Sequence, residues 1–232
     1  MKLPIALLAA ILATRALFAG EPNTLTKEEQ SAGWKLLFDG KTTAGWRGFE
    51  KDDMPDGWVA EDGALHRKSK STDIVTTGKF EQFDLQFEWK ISPGGNSGVK
   101  YFIREKRDGG LGAVGHEYQV LDNEKAEDRK KPSHLAGALY DVIVPQNSKP
   151  NPVGEWNTSR ILVSGNHVEH WLNGAKTVEY DLDSDALKKL VAESKFKSSP
   201  YFVSRIKTPV LLQDHGDEVW FRNITIRELP AK

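Results

Sequence analysis

Between Phe80 and Lys90 apolar and polar residues alternate almost without a break. Phe83, Leu85, Phe87 and Trp89 fall on one side, and Asp84, Gln86, Glu88 and Lys90 on the other. A period of two predicts a β-strand with one buried and one polar face. Pro93-Gly94-Gly95-Asn96 then reads as a turn, with a second strand over 99–104. Further strands are expected at 117–121, 138–144, 157–164, 167–172, 210–213 and 219–227. Asp39-Gly40, Asp62-Gly63, Gly165-Asn166 and Asn173-Gly174 mark tight turns, so 58–60 with 64–66 and 157–164 with 167–172 read as hairpins. One helix is predicted, capped by Asp183 or Ser184, with Ala186, Leu187, Leu190 and Val191 as its apolar stripe. Many short strands, frequent turns and a single short helix predict an all-β, two-sheet antiparallel sandwich. Residues 21–32 are polar and read as a linker with a short helical turn at 26–29.

The N-terminus breaks this pattern. Lys2 precedes an apolar run from Leu3 to Ala13, and small residues continue to Gly20. That is the layout of an export signal over residues 1–20, cut between Ala16 and Gly20. The run is too short, and too interrupted by Arg15, for a membrane span. The expected location is therefore periplasmic or secreted.

Composition removes several functions. With 32 Lys plus Arg against 33 Asp plus Glu, the formal charge is −1. Such a balance creates no field for nucleic acid. Arg129-Lys130-Lys131 is the longest basic run and reads as a solvated loop. Cysteine is absent, which excludes disulfides, thiolate metal sites and a cysteine nucleophile. Seven Trp suit a sandwich core, and indole faces also stack on sugars.

Three motifs fail on context. Gly110-x-Gly112-x-x-Gly115 has dinucleotide-loop spacing, but His116 to Leu121 after it reads as a strand where that loop needs a helix. No Gly-x-Ser-x-Gly elbow exists, and Ser97 in Gly95-Asn96-Ser97-Gly98 reads as a turn serine. Glu117 and Asp122 could serve as the two acids of a glycosidase, yet an odd separation puts them on opposite faces of an unbroken strand. The sandwich glucanases carry Glu-x-Asp-x-x-Glu; here the stretch is Glu117-x-Gln119-x-x-Asp122, with the central acid an amide.

Other segments fall in a recognisable order. Gly33-Trp34-Lys35-Leu36-Leu37-Phe38-Asp39-Gly40 is followed by Gly45-Trp46, then Gly95 to Val99, Glu117 to Asp122, Gly137-Ala138-Leu139-Tyr140 and Trp156-Asn157. Leu212-Gln213-Asp214-His215-Gly216 and Val219 to Ile224 close the series. Together they resemble the 3-keto-disaccharide hydrolase-like family over residues 33–229. The resemblance implies a jelly roll like that of concanavalin-type lectins and glucanases. It also implies a carbohydrate substrate already oxidised to a ketone at sugar carbon 3, supplied by a separate NAD-dependent sugar 3-oxidoreductase. A ketone there acidifies the hydrogen on carbon 2, so one base suffices to expel the carbon 1 substituent before water adds.

In that context Glu117 is the expected base or metal ligand. Gln119, on the same strand face, is expected to bind a sugar hydroxyl, and His215 to be the proton-transfer partner, with Gln213 two residues before it. Asn96, Ser97 and Lys100 are placed on the rim, Lys100 as a holder of enolate charge. Trp46, His134, Tyr140 and Arg222 are further candidates for sugar contact. Asp214, Asp217 and Glu218 crowd one loop and offer ligands for a divalent ion, the one cofactor considered. A non-catalytic carbohydrate-binding module and a two-acid glucanase are the alternatives.

Overall fold

Strand β6 (Phe83–Ile91) runs through the middle of an eight-stranded antiparallel sheet. The order is β11 (Ala175–Asp181), β10 (His167–Leu172), β9 (Asn157–Ser164), β6, β13 (Val219–Glu228), β4 (Ala64–Arg67) and β3 (Trp58–Glu61), with β1 (Trp34–Leu36) also paired to β13. A five-stranded sheet packs against it: β2 (Trp46–Gly48), β5 (Ile74–Thr76), β12 (Leu211–Leu212), β7 (Asn96–Tyr101) and β8 (His116–Leu121). This computed structural model describes residues 21–106, 113–199 and 202–230. The segment read as an export signal, and Gly110 to Gly112 of the glycine-rich stretch, lie outside the described residues.

The two inner faces meet through aromatic side chains. Phe87 meets Tyr118 edge-on at 5.4 Å between ring centroids, and Phe83 meets Tyr101 at 5.9 Å. A polar cluster sits in the same interior. The Tyr101 hydroxyl lies 2.7 Å from His170 Nε2 and 2.9 Å from the Tyr180 hydroxyl. His116 joins the Tyr180 hydroxyl through Nδ1 at 2.5 Å and the Phe202 carbonyl through Nε2. Burial pushes the pKa of His116 down to about 4 and that of His170 to about 3, because charging an imidazole away from water is costly.

The outer face of β6 departs from the simple alternation. Asp84 and Glu88 are buried, not solvated. Asp84 accepts two hydrogen bonds from Arg160, at 2.7 and 3.0 Å, and Glu88 accepts one from Arg222 Nε at 2.6 Å. Long arginine stems roof this face and hide the carboxylates.

Other departures have local causes. The strand expected at 138–144 does not form, because Asp141 takes a left-handed backbone (φ 63°) and Val142 N–H closes a turn on the Leu139 carbonyl. Residues 21–32 are no free linker: Asn23 is buried, and its backbone and side chain exchange hydrogen bonds of 2.6 and 2.8 Å with Asn223. The short helical turn is present as α1 (Lys27–Ser31), closed by a Thr26–Glu29 capping box. The predicted helix is α2 (Asp185–Ala192), capped by Ser184, but it buries only Leu187 and Val191 and leaves Ala186 and Leu190 exposed.

A candidate active site on the smaller sheet

Strand period divides β8 cleanly. His116, Tyr118 and Val120 point into the sandwich, so Glu117 and Gln119 point to the opposite face. On neighbouring β7, Gly98 and Lys100 lie across from Gln119 and Glu117 in register. Leu212 of β12 pairs with Val99, which brings Gln213 to the same place. Above this floor is a cleft enclosing about 210 Å³. Asn96, Lys100, Glu117 and Gln213 line it, with Asp128, Tyr140, Lys195 and His215 as walls and rim.

Glu117 is its centre and is only 5 % exposed. Lys100 Nζ lies 3.2 Å from its Oε2. With the Gln213 amide turned to satisfy both neighbours, it donates to Glu117 Oε1 at 3.2 Å and accepts from Lys100 Nζ at 3.2 Å. Burial pushes the Glu117 pKa up, and Lys100 restrains that rise without cancelling it. A carboxylate raised in this way is a stronger base than a solvated one.

Glycine is required beside it. A Cβ on Gly98 would stand 2.5 Å from Glu117 Oε1 and 2.9 Å from its Cγ. The expected result of Gly98→Ala is a folded protein with a displaced base. Activity should fall about 100-fold, the cost of roughly 1 Å of misplacement, with the thermal midpoint moved by a few degrees at most. Full activity would show that the carboxylate position does not matter.

A second hydrogen-bonded system holds the wall. Tyr140 donates to Asp128 Oδ2 at 2.9 Å, and Asn96 Nδ2 reaches the same oxygen at 3.4 Å. His134 lies between two carboxylates, 2.7 Å from Asp128 Oδ1 and 2.8 Å from Asp141 Oδ1, and stacks on Tyr140 at 4.2 Å. Lys131 and the Lys195 backbone N–H also bind Asp141, whose pKa is held down to about 2 by these donors against the effect of burial.

The structure thus brings together six residues singled out from sequence: Asn96, Lys100, Glu117, Tyr140, Gln213 and His215. His134 stands behind this group and braces Asp128. Gln119 is buried beneath it, donating to Asn96 Oδ1 at 3.0 Å. The remaining candidates lie elsewhere. Trp46 is a core residue whose indole N–H donates to the Leu37 carbonyl at 2.6 Å. Ser97 points inward and donates to the Gln213 carbonyl at 2.8 Å. Arg222 is on the other sheet, paired with Glu88 and 4.1 Å from the Trp156 ring.

Both loop aspartates already accept hydrogen bonds within the protein. Asp214 accepts from Arg67 Nε at 2.7 Å and Ser71 N–H at 3.0 Å, and Asp217 accepts from Asn96 N–H at 3.0 Å. Among the described residues, the carboxylates and imidazoles that converge are His167, Glu169 and Glu179, far along the chain from this loop. Lys176 already lies 3.2 Å from Glu169 and 2.5 Å from Glu179 there. Asp122 spends its oxygens on the N–H groups of Gly94, Glu124 and Lys125, so it does not oppose Glu117. Sequence reasoning missed Asp128 and Lys195, which lie in irregular segments without a periodic signal.

A family sequence model, the 3-keto-alpha-glucoside-1,2-lyase-like domain, matches residues 33–227. The chain belongs to that family. A 3-keto-disaccharide hydrolase of Bacteroides thetaiotaomicron is 34 % identical over 253 aligned positions, covering 95 % of this chain and 87 % of the relative. Two solved structures of candidate glycosyl hydrolases from Parabacteroides distasonis share the architecture. One has a TM-score of 0.80 at 35 % identity, covering 90 % of this chain and all of the other. The second has a TM-score of 0.66 at 29 % identity, covering 84 % and 99 %. This lyase-like family member is a hydrolase of glycosidic bonds with a jelly-roll sandwich fold. Among the described residues, no helix is long and apolar enough to cross a membrane.

Proposed function

We propose that this enzyme cleaves glycosides that carry a ketone at sugar carbon 3, by elimination and hydration. The observation that carries the reading is one buried, strengthened base, while the other carboxylate lining the cleft among the described residues, Asp128, is tied up by three hydrogen bonds. Glu117 takes the proton from carbon 2, and the electron pair is delocalised onto the carbon 3 oxygen. Its return expels the carbon 1 substituent, which leaves as an alcohol after gaining a proton. Water then adds across the resulting double bond, its proton to carbon 2 and its hydroxyl to carbon 1. Lys100 and Gln213 orient the Glu117 carboxylate, and His215 on the exposed rim is placed to return a proton to the departing oxygen.

Asp128 shares the cleft and is the second carboxylate that a conventional glycosidase would need. Its hydrogen bonds from His134, Tyr140 and Asn96 keep its pKa low despite burial. It stays ionised, and both of its oxygens are engaged by these donors, which blunts it as a nucleophile toward carbon 1. The relatives named as 3-keto-disaccharide hydrolase and 3-keto-alpha-glucoside-1,2-lyase-like support the same substrate class. The ketone must be made by another enzyme, a nicotinamide-dependent sugar 3-oxidoreductase. The charged-then-apolar N-terminal segment supports export to the periplasm or beyond.

The test is to incubate the purified protein in D₂O with a disaccharide and with its 3-keto form, with and without chelator. Cleavage of the keto form alone, with deuterium appearing at carbon 2, is expected. Cleavage of both sugars would replace this reading with direct glycoside hydrolysis.

A further inference from the structure

We infer that Lys195 holds the carbon 3 oxygen while Glu117 removes the neighbouring proton. The assignment rests on the 3-keto-glycoside reading above.

Proton loss from carbon 2 places a negative charge on the ketone oxygen, and the cleft must supply a cation or donor there. Most of its polar groups are already committed. Lys100 is engaged with Glu117 Oε2 and the Gln213 amide oxygen. Tyr140 gives its one hydroxyl proton to Asp128, and the Asn96 amide N–H group is turned to the same carboxylate. Lys195 differs. It lines the cleft and makes no side-chain ion pair among the described residues. Its ammonium stands 4.0 Å from the centre of the Tyr140 ring. The ring face attracts the cation without consuming its N–H donors.

The segment carrying Lys195 is anchored on both sides. Its backbone N–H donates to Asp141 Oδ2 at 2.7 Å, and the next residue, Phe196, is buried in a stack on Phe202 at 4.4 Å. Tyr140 is itself fixed by Asp128 and His134. The charged groups that act on the ammonium are Glu117, Asp141 and Asp128, which stabilise it, and Lys100, which opposes it. Desolvation outweighs their combined pull and lowers the Lys195 pKa, although the residue as a whole is exposed. An acid of that kind can pass a proton to the enolate oxygen and take it back as the carbon 1 substituent leaves. No atom is gained or lost by Lys195 over the cycle. Lys100 then serves to orient the base, a role different from the enolate contact expected of it in the sequence.

The test compares Lys195→Met and Lys195→Arg in the full chain with a 3-keto-disaccharide, following kcat, KM, pH dependence and thermal midpoint. Lys195→Met should lose roughly 100- to 1,000-fold in kcat, the effect of removing one stabilising donor, with KM within about threefold. Lys195→Arg should keep a tenth or more of the activity, and its alkaline limb should move to higher pH because guanidinium does not deprotonate there. Lys195→Met within about fivefold of wild type would overturn the assignment. So would a loss confined to KM, or an arginine variant as inactive as the methionine one. A wild-type enzyme inert on the keto sugar would instead overturn the substrate reading itself.

Discussion

Replacing Glu117 by Gln is expected to abolish turnover of a 3-keto-disaccharide while leaving the fold intact. The amide keeps the shape and can still accept from Lys100, but it has no basicity. General base catalysis contributes about 10²–10⁴-fold, and a loss of about 10³-fold or more is expected. Removal of a buried carboxylate should leave the thermal midpoint unchanged or higher, since its desolvation cost disappears. The wild-type acid limb of kcat/KM should lie above the ordinary glutamate range, and Lys100→Met should move it higher still, because Lys100 lowers the Glu117 pKa. Both are read from steady-state kinetics across pH. Turnover by Glu117→Gln within tenfold of wild type would remove Glu117 from the mechanism.

The second large effect is on stability in mild acid. His116 and His170 are fully enclosed and neutral, with pKa values of about 4 and about 3. Unfolded, each has a pKa near 6.5. Their folded values are depressed, so they cost nothing above pH 6.5. Below it the unfolded chain binds protons that the folded chain does not, and stability falls as pH falls. The slope is about 1.4 kcal/mol per pH unit for each histidine, so the two together remove of order 5 kcal/mol by pH 4. Glu117 and Asp73, whose pKa values burial raises, act in the opposite sense, beginning as pH falls through their raised folded values, and offset part of this loss. Against a typical total of about 5–15 kcal/mol, the loss should bring cooperative unfolding before most carboxylates titrate. Urea unfolding at pH 7, 5.5 and 4.5 measures it, and equal stability at all three would show that these imidazoles charge freely in the fold.

Legibility in the sequence tracked how regular each segment is. The β9–β10–β11 hairpins were readable because Gly165-Asn166 and Asn173-Gly174 punctuate clear alternation. Glu117 and Gln119 were readable as one face for the same reason. Period two does not say which sheet a face belongs to, and that misplaced Arg222, a strand residue whose outer face is on the far side of the sandwich. Trp46 shows a different limit: an indole that fills a core and one that stacks on a sugar have the same sequence signature. Lys195 and Asp128 were invisible because their segments follow no period, and only the folded chain carries them to β8.

Glu117 and Lys100 come from paired strands, and Gln213 directly follows β12 with its backbone N–H donating to the Gly98 carbonyl at 2.9 Å, so their spacing is set by backbone hydrogen bonds of the sheet. The outer wall, by contrast, is made by Ala113 to Gly115, Asp128, Tyr140 and Lys195, all outside the strands. The base is thereby fixed by the sheet, while the surroundings of the bound sugar are shaped by segments outside the strands. On the proposed mechanism, changing wall residues other than Lys195 is expected to alter which carbon 1 substituent fits while Glu117 and Lys100 stay in place. Grafting such segments between relatives is a direct route to enzymes with new leaving-group preferences.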